Sequence, residues 1–138
     1  MKKLSLIFAF LTMLALNVCA QQTDYKVVFD MSTRDSLSQL AVIREVQLIK
    51  DNNPAAKIEV VVYGQGINLV LKEKTKQAET ISKLAADPNI TFKVCAFTMQ
   101  RFQVDETKLV PGVTVVPDGI YEIISKERAG WGYIKVAH

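Results

Sequence analysis

Lys57-Ile58-Glu59-Val60-Val61-Val62-Tyr63-Gly64-Gln65-Gly66 is the stretch on which the fold turns. After Glu59 the run is apolar and β-branched almost without interruption, and it ends at once in a glycine-rich turn. A strand with one wet face alternates polar and apolar residues. A strand apolar at nearly every position is covered on both faces, as in the middle of a parallel sheet. Residues 57–63 are therefore predicted to form a central parallel strand, and a parallel neighbour requires a crossover element on either side.

Both elements are legible. Upstream, residues 26–30 (Lys-Val-Val-Phe-Asp) form a first short strand. Residues 33–53 have the length of a helix, with Ser32, Thr33, Asp35 and Ser36 as candidate caps. The helix is apolar nearly all round: Leu37, Ala41 and Leu48 lie on one side, Val42, Val46 and Ile49 on another, with Leu40 and Ile43 among the rest. Such a helix is usually buried on more than one side, which in so short a chain predicts a partner subunit over its outer face. Asn52-Asn53-Pro54 ends it, because proline disfavours helical geometry in the residue before it.

Downstream, Gly64-Gln65-Gly66 leads into a short apolar segment, 67–71. Residues 75–86 read as a helix with Ala78, Ile81 and Ala85 on one face. Asp87-Pro88-Asn89 turns the chain into a third strand, 90–95, in which Ile90, Phe92 and Val94 share one face and Thr91, Lys93 and Cys95 the other. Residues 96–102 read as a helical turn, and Asp105 caps another short piece. Pro111-Gly112 precedes a strand at 113–116. Pro117-Asp118-Gly119 opens a helix expected to carry Ile120, Ile123 and Ile124 inward, with Gly130 at its C-cap. A last strand spans 131–136. Alternation of this kind gives an α/β sandwich with a mostly parallel five-stranded sheet flanked by helices, and with right-handed crossovers.

The ends of the chain bear on where it works. Met1-Lys2-Lys3 and the apolar run 4–16 have the build of a secretory signal peptide, too short for a stable membrane span. Val18-Cys19-Ala20 places cleavage after Ala20, so residues 1–20 are a signal peptide and 21–138 a single domain. Acylation at Cys19 is the rival reading, weakened by the bulk of Val18. The chain is thus expected to be exported, periplasmic and soluble. The full chain carries a net charge of +3. Loss of Lys2 and Lys3 leaves 15 basic against 14 acidic residues, a charge of +1, with no clustered basic face to attract nucleic acid.

Cysteine and histidine counts narrow the chemistry further. Without Cys19 the chain has one thiol, Cys95, and cannot close an internal disulfide. The single histidine is terminal His138. One cysteine and one histidine do not make a zinc site, no Ser-His-Asp set is possible, and no cofactor is implied. Any chemistry would be thiol chemistry.

Cys95 ends a strand where a helical turn begins, so backbone N–H dipoles would favour its thiolate; a buried, inert packing residue is the alternative. Gly64-Gln65-Gly66 and Pro117-Asp118-Gly119 fall at the same carboxyl edge of the sheet, where ligands of open α/β sheets collect. A small anion or redox ligand there would meet Gly64, Gln65, Gly66, Thr98, Met99 and Asp118, although tight turns and helix capping explain the glycines and Asp118 as well. Met99 and Phe102 would wall a small apolar pocket or pack in the core.

Three segments taken together resemble one family. Ile58-Glu59-Val60-Val61-Val62-Tyr63-Gly64, Val94-Cys95-Ala96-Phe97-Thr98-Met99 and Gly130-Trp131-Gly132-Tyr133-Ile134-Lys135 are similar, in this order, to the landmarks of the DsrE/DsrF-like family over residues 25–136. The chain looks most like the exported single-domain members. The resemblance implies a three-layer α/β fold and homo-oligomers, commonly trimers or hexamers. It also implies a sulfur carrier: in sulfur-relay relatives the cysteine at this strand end holds sulfur as a persulfide and passes it to a partner's thiol. Cys95 is the matching position.

Overall fold

A computed structural model describes residues 24–136. The expected signal segment, Cys19 and His138 lie outside these residues. The elements in chain order are β1 (Lys26–Met31), α1 (Ser36–Asn52), β2 (Lys57–Val62), a 3-10 segment (Gly64–Val70), α2 (Ala78–Leu84), β3 (Ile90–Cys95), α3 (Ala96–Arg101), a 3-10 turn (Glu106–Lys108), β4 (Val113–Val116), α4 (Gly119–Arg128) and β5 (Gly132–Lys135). They form one five-stranded sheet in the order β4-β3-β2-β1-β5. Every neighbouring pair is parallel. The residues 57–62 are thus the middle strand, as their composition requires.

The strand order explains the layers. From β1 to β4 the chain steps across the sheet in one direction, so crossovers of one hand leave their helices on one face. The return from β4 to the far edge reverses direction and sends α4 to the opposite face. The first face carries the main core: Phe29, Met31, Val60, Val62, Phe92 and Val94 from the strands meet Val42, Ile43, Val46 and Ile49 of α1, Ile81 of α2 and Met99 of α3. The second face buries only Val28, Val61 and Ile123 as its apolar centre, edged by Tyr63 and Trp131.

Two expectations change here. Ile120 and Ile124 of α4 do not point inward; they are 55% and 39% exposed, and Ile123 alone packs on the sheet. The cause is the polar sheet face beneath: α4 turns Gly119, Glu122, Ile123 and Lys126 downward so that the two charged side chains reach Glu59 and Lys93. Helix α1, expected to be apolar all round, is buried within the chain on one side only, through Val42, Ile43, Val46 and Ile49, while Leu37, Ala41 and Leu48 face outward. Asp35 is its N-cap, its carboxylate accepting the Ser38 N–H at 2.7 Å. Among the described residues no helix is long and apolar enough to cross a membrane.

Candidate functional site at the carboxyl edge of the sheet

Cys95 is the last residue of β3 and the N-cap of α3, with extended backbone geometry. Side chains alternate along a strand, so its sulfur lies on the α4 face with Thr91 and Lys93. Tyr63 follows Val62, which is in register with Val94, and so stands beside Cys95 on that face. The first residue of α4 roofs the pair. A Cβ at Gly119 would lie 3.2 Å from the Cys95 Cβ, 3.3 Å from Val61 Cγ1 and 3.5 Å from the Tyr63 Cβ. Only glycine lets α4 come this close without displacing a neighbour. The thiol is free and 6% exposed.

The other residues singled out from sequence divide into two groups. Thr98 belongs to the edge: its hydroxyl accepts the Gly64 N–H at 2.9 Å, tying the helix after Cys95 to the loop after β2. Gly64 adopts φ +55°. Gly66 is packed on β1, where a Cβ would sit 2.4 Å from the Met31 carbonyl oxygen. Gln65 is exposed and accepts from Arg34 Nε at 2.8 Å. Asp118 caps α4, accepting from the N–H groups of Ile120 at 2.8 Å and Tyr121 at 3.3 Å. Its own carboxylate thus occupies the first free amides of α4. Met99 leaves the edge for the main core, whereas Phe102 remains at the surface.

Sequence reasoning missed the polar residues that flank this apolar centre. Asp30 is buried, and its carboxylate accepts from Tyr133 Oη at 2.7 Å, Tyr63 Oη at 3.1 Å and Lys135 Nζ at 3.1 Å. Lys135 also donates to Ser32 Oγ at 3.0 Å and lies 5.8 Å from the centre of the Tyr63 ring. Donation to Asp30 is the main reason the Tyr133 phenol is pushed up to about 12, with burial and the Asp30 charge adding to it. Burial opposes the Lys135 ammonium, but the bond and charge of Asp30 outweigh it and raise the group. The available signal was an aspartate inside an otherwise apolar parallel strand, since a buried charge demands partners.

A second network lies toward the amino end of the same face. Glu59 is 1% exposed. Its Oε2 accepts from Lys126 at 2.9 Å, Thr91 at 3.0 Å and Lys93 at 3.2 Å. Glu122 binds Lys93 at 2.7 Å and approaches Lys126 at 3.6 Å. Lys126 also lies 4.5 Å over the Trp131 ring. Lys93 is therefore committed to two carboxylates and is not a free cation for Cys95. Among the described residues no three of His, Cys, Asp and Glu gather as a metal site would require. Chemically, the edge offers one shielded thiol beside a tyrosine whose hydroxyl is engaged elsewhere.

Comparison with known proteins agrees with this architecture. MTH1491 of Methanobacterium thermoautotrophicum, a protein of unknown function, is 29% identical and superposes with a TM-score of 0.75, covering 81% of this chain and 99% of that one. BT1422 of Bacteroides thetaiotaomicron, also of unknown function, has 18% identity and a TM-score of 0.67, with coverage of 84% and 98%. The ychN protein of E. coli shares the fold at 13% identity and a TM-score of 0.66, with coverage of 80% and 98%. A search of curated proteins found no match. The model of one family matches residues 26–136, nearly the whole described chain, and the protein belongs to that family, the DsrE/DsrF-like family.

Proposed function

We propose that this protein is an exported, periplasmic sulfur carrier that holds sulfane sulfur as a persulfide on Cys95. The observation that carries the reading is the position of that thiol: it ends β3 at the carboxyl edge of the sheet, and the first-turn amides of α3 follow it. In the step proposed, the Cys95 thiolate attacks the outer sulfur of a donor R–S–SH. A Cys95 S–S bond forms, the donor S–S bond breaks, and R–S⁻ departs with the electron pair. An acceptor thiolate then attacks the outer sulfur of the Cys95 persulfide and regenerates the thiolate. Sulfur moves with no net oxidation, so no external electron donor is needed. The thiol-bearing donor and acceptor are its partners, and the carrier is a homo-oligomer.

Intact-mass measurement after exposure to inorganic polysulfide tests this. The expected result is a gain of one or more sulfur atoms, reversed by dithiothreitol and absent from Cys95→Ser. An unchanged mass refutes the carrier. The 6% exposure of Cys95 favours a second reading, a small-ligand binder or oligomeric scaffold in which Cys95 is packing. That reading gives native Cys95 unreactive toward small and bulky thiol reagents alike, and a Cys95→Ala variant with unaltered function.

A further inference from the structure

Beyond the thiol, loops after three adjacent strands meet on the α1 side of the carboxyl edge and enclose a cleft of about 420 Å³ lined by Arg34, Gln65, Asn68, Lys74, Arg101 and Phe102. Arg34 comes from the loop after β1, Gln65 and Asn68 from the 3-10 segment after β2, and Arg101 and Phe102 from the end of α3. Three cations line one concavity, and no carboxylate does. None of the three makes an ion pair among the described residues. Two acids line the adjoining hollows instead: Asp35, beside Arg34, caps α1, and Glu73, beside Lys74, approaches Lys108 at 3.9 Å.

Gln65 holds Arg34 in place through the 2.8 Å bond to Nε. The remaining guanidinium N–H donors are left for an acceptor in the cleft. Like charges gathered in a concavity repel one another, and an anion of more than one charge relieves that repulsion.

A second hollow of about 250 Å³ continues from the first and shares Asn68, Lys74 and Phe102 with it. Its own lining joins an apolar side, Ile67, Leu71 and Val104, to a polar one, Glu73, Gln103 and Lys108. Phe102, 43% exposed, stands at the junction with its ring available for stacking. We infer that the cleft binds a small molecule with a phosphate head and a flat or apolar body, the head between Arg34, Lys74 and Arg101 and the body along Phe102 into the second hollow. Guanidinium groups suit this head because their forked donors match phosphate oxygens. Cys95 does not line either hollow, so this site is independent of the sulfur reading.

Calorimetric titration of the protein at low salt with phenyl phosphate, inorganic phosphate, benzoate and phenol tests the inference. Phenyl phosphate is expected to bind about tenfold or more tightly than each of the others, since each lacks the body, the second charge or the head. Arg34→Gln and Arg101→Gln should each weaken phenyl phosphate about tenfold, the scale of one lost charge-assisted bond. Phe102→Ala should abolish its advantage over inorganic phosphate. Cys95→Ser should bind as the parent does, which separates this test from that of sulfur loading. The Arg34, Arg101 and Phe102 side chains are exposed; Lys74→Met, in a loop, replaces either arginine variant that does not fold. No binding of phenyl phosphate at millimolar concentration, equal binding of benzoate or phenol, or folded arginine variants that bind as the parent does would each overturn the assignment.

Discussion

Gly66 provides a sharp test of whether the Gly64-Gln65-Gly66 loop is built for packing or for a ligand. In Gly66→Ala the new Cβ would stand 2.4 Å from the Met31 carbonyl oxygen, 3.0 Å from its carbon and 3.2 Å from Ser32 Cα. All three are backbone atoms at the end of β1, so no side chain can swing away. Reaching even a tight 3.0 Å separation requires the loop and strand to part by about 0.6 Å. The same Met31 oxygen accepts the Tyr63 N–H at 3.1 Å, so the shift also strains that bond.

Overpacking of a tight site costs about 1–3 kcal/mol. A weakened hydrogen bond adds about 1 kcal/mol. Reduced freedom of the unfolded chain returns about 0.5–1 kcal/mol. The net is about 1–3.5 kcal/mol, centred near 2, or a fall in Tm of roughly 4–14 °C, centred near 8 °C, for a domain of this size. Gly64→Ala is the control. Its Cβ would meet nothing closer than Ser32 O at 3.8 Å, and only the φ of +55° opposes it. That costs about 1 kcal/mol, or roughly 4 °C. Thermal unfolding followed by circular dichroism, without ligand, reads both. A Gly66→Ala protein melting within about 2 °C of the parent, or above Gly64→Ala, would refute the packing argument.

Other outcomes follow from the two polar networks. Glu59→Gln leaves Lys93 and Lys126 with Glu122 as their carboxylate partner and should destabilise by about 2–3 kcal/mol, below the full cost of breaking a buried pair because Glu122 remains. The measurement is a urea midpoint that falls with an unchanged m-value, and no fall would contradict the network. Burial raises the Glu122 carboxyl, but the bonds and charges around it, Lys93 foremost, bring it below its ordinary value. Its contribution is therefore present above about pH 4.5 and lost as pH falls through the lower folded value, which an acid unfolding series compared with Glu122→Gln would reveal. Tyr133 runs the other way: its raised folded pKa of about 12 means stability present below pH 10 and lost as pH rises through 12. In Asp30→Asn, alkaline absorbance titration should show Tyr133, identified by its absence in Tyr133→Phe, ionising nearer pH 10. An unchanged titration would show that Asp30 is not the cause.

Particular residues show what the chain discloses before it folds. The run Val60-Val61-Val62 disclosed its central position because two-sided burial leaves a composition signature. The placement of Cys95 at a strand end followed from Ile90, Phe92 and Val94 alternating into the core. The inward setting assigned to Ile120 and Ile124 failed for a related reason. Period alone shows which residues of a helix share a face, but the rotation of the helix depends on what lies beneath it. Below α4 lie Glu59 and Lys93, which draw Glu122 and Lys126 downward and turn the two isoleucines out.

The meeting of Asp30, Tyr63, Tyr133 and Lys135 went unnoticed because they are up to 105 positions apart in the chain. Parallel pairing of β1 with β2 on one side and β5 on the other makes them neighbours. Arg34, Lys74 and Arg101 are likewise scattered among ordinary charged loops until the ends of three strands align.

The sequence by itself determined the class of the fold and the order of its elements, because burial and periodicity act locally along a chain. The tertiary structure alone decided that Gly119 roofs Cys95, that Asp30 gathers two tyrosines and a lysine, and that three cations without an ion pair among the described residues share a cleft. Those facts arise from strand register and the reversal of direction between β4 and β5, which bring together residues whose separation in sequence carries no trace of their contact.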